Sequence, residues 1–302
     1  MSGSPLISIV VLTYNSALYV ESTLNSIYRQ NYDGELELII GDDCSKDDTI
    51  AICENWLSRN RSRFVRCEVV RAPENRGVVA NINSCYKKCS GDWIKVIAGD
   101  DILMDDALVT LLQAAVEHKV SFAYSALRTF TDDSDILSPE KLTYSSGGPG
   151  DAFVDLEYVY RKPNFWVNAP TFFVASKLLK EIGYVPELFR NIEDRPLFAK
   201  ILASGYTIWH CSSPTVFYRV HSQSISSSGA TGRYAECNWL TYKRILRSCY
   251  PFCRRIDLDL RMLPLWILGR TGRKNVFYRV FRLFMQLLWL IWRACTFIVT
   301  RK

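Results

Sequence analysis

Of the six pairs of adjacent carboxylates in the chain, three stand where they could do chemistry: Asp42–Asp43, Asp100–Asp101 and Glu193–Asp194. Around the middle pair, a run from Trp93 to Ala98 stops abruptly at Gly99-Asp100-Asp101, and a helix-like segment opens at Asp105. Neighbouring carboxylates just past the carboxyl end of a strand suit a hard divalent ion such as Mg²⁺. Such an ion takes oxygen ligands from few protein residues and completes its shell with substrate phosphates. Asp and Gly are also ordinary turn residues, so the same three positions can do no more than close a turn. Asp194 stands just before Pro196 at the opening of a helical pattern, where a carboxylate reads first as a cap. The three histidines (His118, His210, His221) are scattered, and neither Cys85/Cys89 nor Cys249/Cys253 has the paired spacing of a zinc site.

The elements that must position these groups alternate. Ile7 to Leu12 is a continuous apolar run, as in a strand covered on both faces of a parallel sheet. Thr13-Tyr14-Asn15-Ser16 follows, with Ser16 placed to cap a helix to about Gln30. A second strand over Leu36–Ile40 leads to Gly41-Asp42-Asp43-Cys44-Ser45, and Asp47 and Asp48 open a second helix running to about Asn60. A third strand, near Cys67–Arg71, precedes Pro73–Gly77 and a helix over Val78–Cys89. The fourth strand ends at Ala98, a fourth helix covers Asp105–Lys119, and Val120–Tyr124 reads as a fifth strand.

This alternation predicts an α/β protein with a mostly parallel, Rossmann-like sheet flanked by helices. Ligands bind such sheets at the carboxyl ends of the strands, where Thr13–Asn15, Asp42–Asp43 and Asp100–Asp101 all fall. No G-x-G-x-x-G or G-x-x-x-x-G-K-[ST] loop is present, so phosphate must be neutralised by another means, and a metal on carboxylates is available.

Beyond Ser125 the pattern loosens. Thr129–Gly150 is polar and glycine-rich and reads as a mobile excursion. A short helix is expected over Asp151–Arg161, a strand over Asn168–Val174, and a helix over Ser176–Ile182 stopped by Gly183. A helix over Leu197–Ala203, two short strands (Tyr206–Cys211 and Thr215–Val220) and a flexible Ser222–Gly232 loop complete this part.

The 302 residues, with 48% hydrophobic and 23% charged side chains, can bury a substantial core. Met1–Pro5 is too short and polar for a signal peptide, and the ten cysteines are then expected as reduced thiols in the cytoplasm. The net charge of +6 is uneven. Residues 243–302 hold 14 Lys and Arg against 2 Asp, a tail at +12, which leaves the first 242 residues at −6. That asymmetry points to a polyanionic surface near the tail.

On a helix over Val276–Thr300, Arg279, Arg282, Gln286 and Arg293 fall within about 60° of one another, and the remaining circumference is Val, Phe, Leu, Trp and Ile. Central arginines are costly in hydrocarbon, which argues against a span. A basic amphipathic helix lying in the membrane interface is expected, with Trp289, Trp292 and the basic Arg270, Arg273 and Lys274 supporting it. The competing reading packs this helix on the α/β body of the chain or in a dimer.

Ordered motifs over the first 221 residues resemble the family-2 inverting glycosyltransferases of the GT-A fold, which build bacterial surface polysaccharides. They are Val10–Asn15, Ile39–Ser45, Asn75–Gly77 with Asn83, Gly91-Asp92 leading to Ala98–Asp101, Glu193-Asp194, and Tyr218-Arg-Val-His221, the last seen in members acting on O-antigen-type acceptors. The resemblance implies a catalytic domain over 1–230, with a nucleotide-sugar half to about 125 and an acceptor half from 126. Residues 231–302 then form a helical, membrane-associating extension.

It further implies that Thr13, Tyr14, Asn15 and Asp42 or Asp43 hold the nucleotide base and ribose, with Asn75, Arg76, Gly77 and Asn83 beside the nucleotide. An exposed arginine such as Arg76 is also often merely solvated. Asp194 matches the general base, and Glu193 orients the site. The family often reads Asp-x-Asp-Asp where this chain has Ala98, so metal binding (Mn²⁺ or Mg²⁺) falls on Asp100 and Asp101. His221 contacts the metal or the diphosphate, or is simply a satisfied polar residue at a strand end. Asn168 and Thr171 fall on the acceptor side.

The implied reaction is inverting transfer from a nucleotide-sugar, UDP-linked by expectation, to a hydroxyl of a polyprenyl-diphosphate-linked oligosaccharide at the inner face of the cytoplasmic membrane. No nucleic acid is involved, and an oligomer is compatible with the sequence. Two rivals remain: a non-catalytic membrane-bound assembly partner that retains the fold, and a sugar nucleotidyltransferase.

Overall fold

The computed structural model describes residues 4–163, 167–221, 231–271 and 276–299. Strands β1 (Ile7–Thr13), β2 (Leu36–Asp42), β3 (Arg66–Arg71) and β4 (Trp93–Ala98) lie in the order β3-β2-β1-β4, all parallel. Between them run α1 (Val20–Tyr28), α2 (Thr49–Asn60) and α3 (Val78–Tyr86). The apolar run of β1 serves two cores because successive side chains point to opposite faces of a sheet. Ile7, Ile9 and Val11 pack with Leu24, Ile27 and Trp56, while Val10 packs with Ile82 and Tyr86 on the other side. In register, Thr13 pairs with Asp42, and Leu12 with Gly41 and Ala98, so these strand ends finish at one edge.

The second half is more mixed than an alternating pattern suggests. It contains β5 (Ile102–Leu103), α4 (Ala107–Glu117), β6 (Phe122–Phe130), β7 (Thr143–Ser145), β8 (Ala152–Val154), α5 (Leu156–Arg161), β9 (Phe173–Ala175), α6 (Ser176–Ile182), α7 (Asp194–Ala203) and β10 (Ile208–Arg219). The sheet continues from β4 as β9-β6-β10-β5. The β6–β10 pairing is parallel, while β9, β5, β7 and β8 add short antiparallel pairings.

Several local expectations are corrected. Ser16 does not cap α1 through its side chain; its carbonyl accepts the Tyr19 and Val20 N–H groups instead. The polar 129–150 stretch is built into the fold: β6 runs on to Phe130, a capping box at Asp132 and Asp135 closes a short helix, and β7 joins the sheet. The segment 151–161 divides into β8 and α5, with Asp155 capping α5. Residues 168–174 form a helical turn over Ala169–Thr171 before β9. The two late strands are one, β10, with irregular register between Cys211 and Val216. Gly183 ends α6 in the left-handed conformation at φ 75°.

The expected flexible loop lies, over 222–230, outside the described residues; Thr231 already opens α8 (Thr231–Thr241). Helices α9 (Phe252–Thr271) and α10 (Val276–Val299) follow. The first part of this tail is not a separate layer. Trp239, Tyr242, Leu246, Tyr250, Leu258 and Met262 are buried in the same core as Leu197, Phe198 and Leu202. Trp289 does not face outward as expected for an interfacial tryptophan, because its ring N–H donates to Asp257 Oδ1 of α9 at 2.7 Å. Arg273 and Lys274 lie outside the described residues. No described helix is long and apolar enough to cross a membrane, and the nine cysteines from Cys44 to Cys253 are free thiols.

Candidate active site

A cavity of about 600 Å³ opens at the carboxyl edge of the parallel strands. Thr13, Tyr14, Asn15 and Asp43 line one side, Gly99, Asp100 and His221 the centre, and Asn168, Glu193 and Asp194 the other. Residues more than two hundred positions apart in the sequence, Thr13 and His221, therefore converge as the sheet order requires.

The nucleotide side is fastened by its own carboxylates. Asp42 Oδ1 accepts the Thr13 hydroxyl at 2.9 Å, and its Oδ2 accepts the Ser45 N–H at 2.9 Å. Asp43 uses both oxygens on the backbone N–H groups of Arg76 and Gly77, each at 2.7 Å. Asp42 is 2% exposed and does not line the cavity, so it positions the Thr13 loop rather than facing a ligand. Asp43 lines the cavity while pinning the Asn75–Gly77 turn. Gly77 sits at φ +89°, where an added Cβ would meet the Arg190 carbonyl at 2.6 Å, so only glycine fits.

Asn75, Arg76 and Gly77 are not among the cavity-lining residues. Asn75 accepts Arg190 through its carbonyl and side chain, and Arg76 is exposed. Asn83 is a clear correction: its amide donates to the Val185 carbonyl and accepts the Val185 N–H, both at 3.0 Å. It staples α3 to the segment before α7 and is 6% exposed. Asn81, two residues earlier and not singled out in the sequence, lines the cavity instead.

At the centre, Asp100 Oδ2 and His221 Nε2 lie 3.0 Å apart. Asp101, expected as a second metal ligand, is fully buried, and its Oδ1 accepts the Arg219 backbone N–H at 2.9 Å. Burial, and after it the Asp100 charge, holds its carboxyl well above the usual range, while its Oδ2 has no hydrogen-bond partner and the residue lines the same cavity. Arg219 organises this corner. Its Nε donates to the Asp100 carbonyl at 2.8 Å, its guanidinium pairs with Asp133, and the group sits 4.5 and 4.4 Å from the Tyr19 and Phe130 ring centroids. Gly99 permits the close approach: a Cβ there would stand 2.8 Å from Thr13 Cγ2.

The donor set fits a divalent cation held partly by its substrate. One carboxylate oxygen and one imidazole nitrogen converge at the cavity, with side chains 28% and 17% exposed. Among the described residues, no group of three or more His, Cys, Asp or Glu side chains could complete a shell. The remaining positions would fall to diphosphate oxygens and water.

On the far wall Glu193 and Asp194 open α7. Burial raises both carboxyls, and the Asp194 charge raises Glu193 further, to about 8. The Arg195 backbone N–H donates to Asp194 Oδ1 at 2.6 Å, and the nearby Arg195 charge also favours ionised Asp194. The Arg195 contacts thus favour the charge on Asp194, and the Asp194 charge in turn favours the proton on Glu193. Asn168 lines the cavity, with its amide donating to the Ser125 and Ser145 carbonyls at 3.3 and 3.2 Å. Thr171 does not reach the cavity: it is fully buried, and its hydroxyl donates to the Asn168 carbonyl at 2.7 Å. Below, the buried Lys95 ammonium donates to the Val96 and Pro170 carbonyls at 2.6 and 2.5 Å, tying β4 to the 169–171 turn; burial pushes it down to about 7.

The profile of glycosyl transferase family 2 matches residues 8–182. The chain belongs to this family. Among its relatives, the glycosyltransferase TuaG of Bacillus subtilis, named for teichuronic acid biosynthesis, is 26% identical over 80% of this chain and 89% of its own length. An Escherichia coli relative, the UDP-Glc:α-D-GlcNAc-diphosphoundecaprenol β-1,3-glucosyltransferase WfaP, is 24% identical over 74% of this chain and 80% of its own. The structure of Staphylococcus aureus TarS residues 1–349 in complex with UDP-GlcNAc superposes with a TM-score of 0.66 at 18% identity, covering 92% of this chain and 79% of that one.

The fold is thus the GT-A fold of family-2 glycosyltransferases, and the protein is a glycosyltransferase. Family motifs do not reach every residue at the cavity. Tyr19, Asn81 and Tyr234 line it as well. Tyr234 comes from α8, beyond the last motif, and only tertiary packing brings it there.

Proposed function

We propose that the protein transfers a sugar, with inversion, from a nucleotide diphosphate donor to a hydroxyl of a lipid-linked oligosaccharide during bacterial surface-polysaccharide synthesis, working from the inner face of the membrane. The observation that carries this reading is that the Asp100–His221 pair and the Glu193–Asp194 pair line one cavity. WfaP, by its name, uses UDP-glucose and a diphosphoundecaprenol-linked acceptor, which supports a UDP-linked donor and a polyprenyl-diphosphate acceptor here.

Donor base and ribose lie along Thr13, Tyr14 and Asn15, with Asp43 holding the adjoining turn. The diphosphate lies against Asp100 and His221, which would hold a divalent metal. A mixed carboxylate and imidazole pair suits Mn²⁺ better than Mg²⁺. When bound, that ion supplies neutralisation of the charge that develops on the leaving diphosphate.

Asp194 accepts the proton of the acceptor hydroxyl. The hydroxyl oxygen forms its bond to the anomeric carbon as the bond to the diphosphate oxygen breaks on the opposite face, and the configuration inverts. A positioned base contributes about 10²–10⁴-fold. Glu193, holding the pair's proton, leaves its neighbour as the base.

The test is the product. The chain is incubated with sugar nucleotides, Mn²⁺ and a polyprenyl-diphosphate-linked acceptor. Release of nucleoside diphosphate with an extended acceptor is expected. Pyrophosphate released from a nucleoside triphosphate would instead assign a nucleotidyltransferase, and no product from any donor would contradict catalysis.

A further inference from the structure

Helix α10 has three faces. Tyr278 and Met285 are buried at 7% and 5%, and with Trp289 they turn toward α9. Arg279, Arg282 and Gln286 form an exposed polar strip beside that face. The third face consists of Val280, Leu283, Phe284, Leu287, Leu290 and Ile291, each between 52% and 60% exposed. Steps of three and four place these six on one side of the helix, in a ridge about 16 Å long. A contiguous bare apolar ridge of this kind marks an interaction surface rather than ordinary scattered exposure.

We propose that this ridge lies in the interface of an anionic lipid bilayer, with the helix axis along the surface and Arg279 and Arg282 reaching the headgroup phosphates. Charge selects this occupant. Residues 243–302 carry 14 Lys and Arg against 2 Asp, which attracts anionic lipid and opposes the pairing of two such tails. The arginine strip also keeps the helix at the surface, since no described helix is apolar enough to cross. The tryptophan that the sequence assigns to the lipid, Trp289, is used instead to fix α10 on α9.

This seat bears on the site. Tyr278 shares a buried cluster with Ala235, Ile267 and Leu268, and Ala235 is the neighbour of the cavity-lining Tyr234. The lipid-facing helix is therefore tied, through α9 and this buried cluster, to the helix that walls the cavity. Resting on the reading of a lipid-linked acceptor, the inference gives that reading a geometry: the cavity is held close above the surface that carries the acceptor.

The test uses the whole chain and a triple variant, Leu283→Ser, Leu287→Ser and Leu290→Ser, at exposed positions outside the cavity. Flotation is measured with vesicles of phosphatidylglycerol mixed with phosphatidylcholine, and of phosphatidylcholine alone. The parent chain should float with the anionic vesicles, more weakly in high salt, and the triple variant should bind at least about tenfold less. The variant should keep its circular dichroism spectrum and its transfer to a water-soluble acceptor analogue, while losing transfer to acceptor embedded in vesicles. Equal vesicle binding by parent and variant would overturn the proposal, as would a parent dimer, seen by light scattering without lipid, that the variant abolishes. Vesicle binding with no transfer to any acceptor would support the docking face and count against the glycosyltransfer reading alone.

Discussion

His221 Nε2 stands 3.0 Å from Asp100 Oδ2, although the two residues are 121 positions apart. The contact exists because β10 runs along β6 and delivers its end to the corner where β4 stops. Arg219 fixes that corner from within, holding the Asp100 carbonyl and the Asp101 carboxylate at once.

From this pair follows a prediction about metal. Asp100→Asn and His221→Ala should each weaken Mn²⁺-dependent binding of a nucleoside diphosphate by at least about 10–100-fold, the loss seen when only a ligand's support is disturbed. Titration calorimetry with and without Mn²⁺ reads it. Unchanged affinity in His221→Ala would leave the imidazole with a structural role.

Asn83 predicts the opposite profile. Its amide makes two hydrogen bonds to Val185 and does not line the cavity. Asn83→Ala should cost about 1–3 kcal/mol of stability by orphaning buried partners. Denaturant unfolding measures this, and donor KM should stay unchanged in the folded fraction. A donor KM raised at full stability would restore Asn83 to the ligand.

The contrast between these residues explains what the sequence could convey. The β1 to β4 half was legible because long apolar runs report parallel strands directly, and the carboxylates sit at their ends. Asp43, Asp101 and Asn83 stand in the expected motifs, yet hydrogen bonds that no local pattern reveals occupy them with backbone rather than with the cavity alone. The second half was less legible. β5, β7, β8 and β9 are two or three residues long and cannot display a period. The bulge within β10 made one strand look like two. Tyr234 reaches the cavity from a helix whose own sequence carries no signal of it.

Acid–base coupling at the far wall sets a pH dependence. Glu193 titrates near 4.5 in the unfolded chain and about 8 when folded, through burial and the Asp194 charge. The folded state thus keeps a proton that the unfolded chain has released, and stability is lost as pH rises from about 4.5 to 8. Glu193→Gln removes this linkage. Its melting temperature relative to the parent should rise steadily between pH 5 and pH 8; parallel melting curves across that range would contradict the shared-proton assignment.

The most direct test of the account is Asp194→Asn, which keeps the size of the side chain and removes the base. Donor and Mn²⁺ binding, read by thermal stabilisation, should match the parent. The rate of sugar transfer to a lipid-linked acceptor should fall about 10²–10⁴-fold. Transfer at the parental rate would contradict Asp194 as the base and, with it, the mechanism proposed for this cavity.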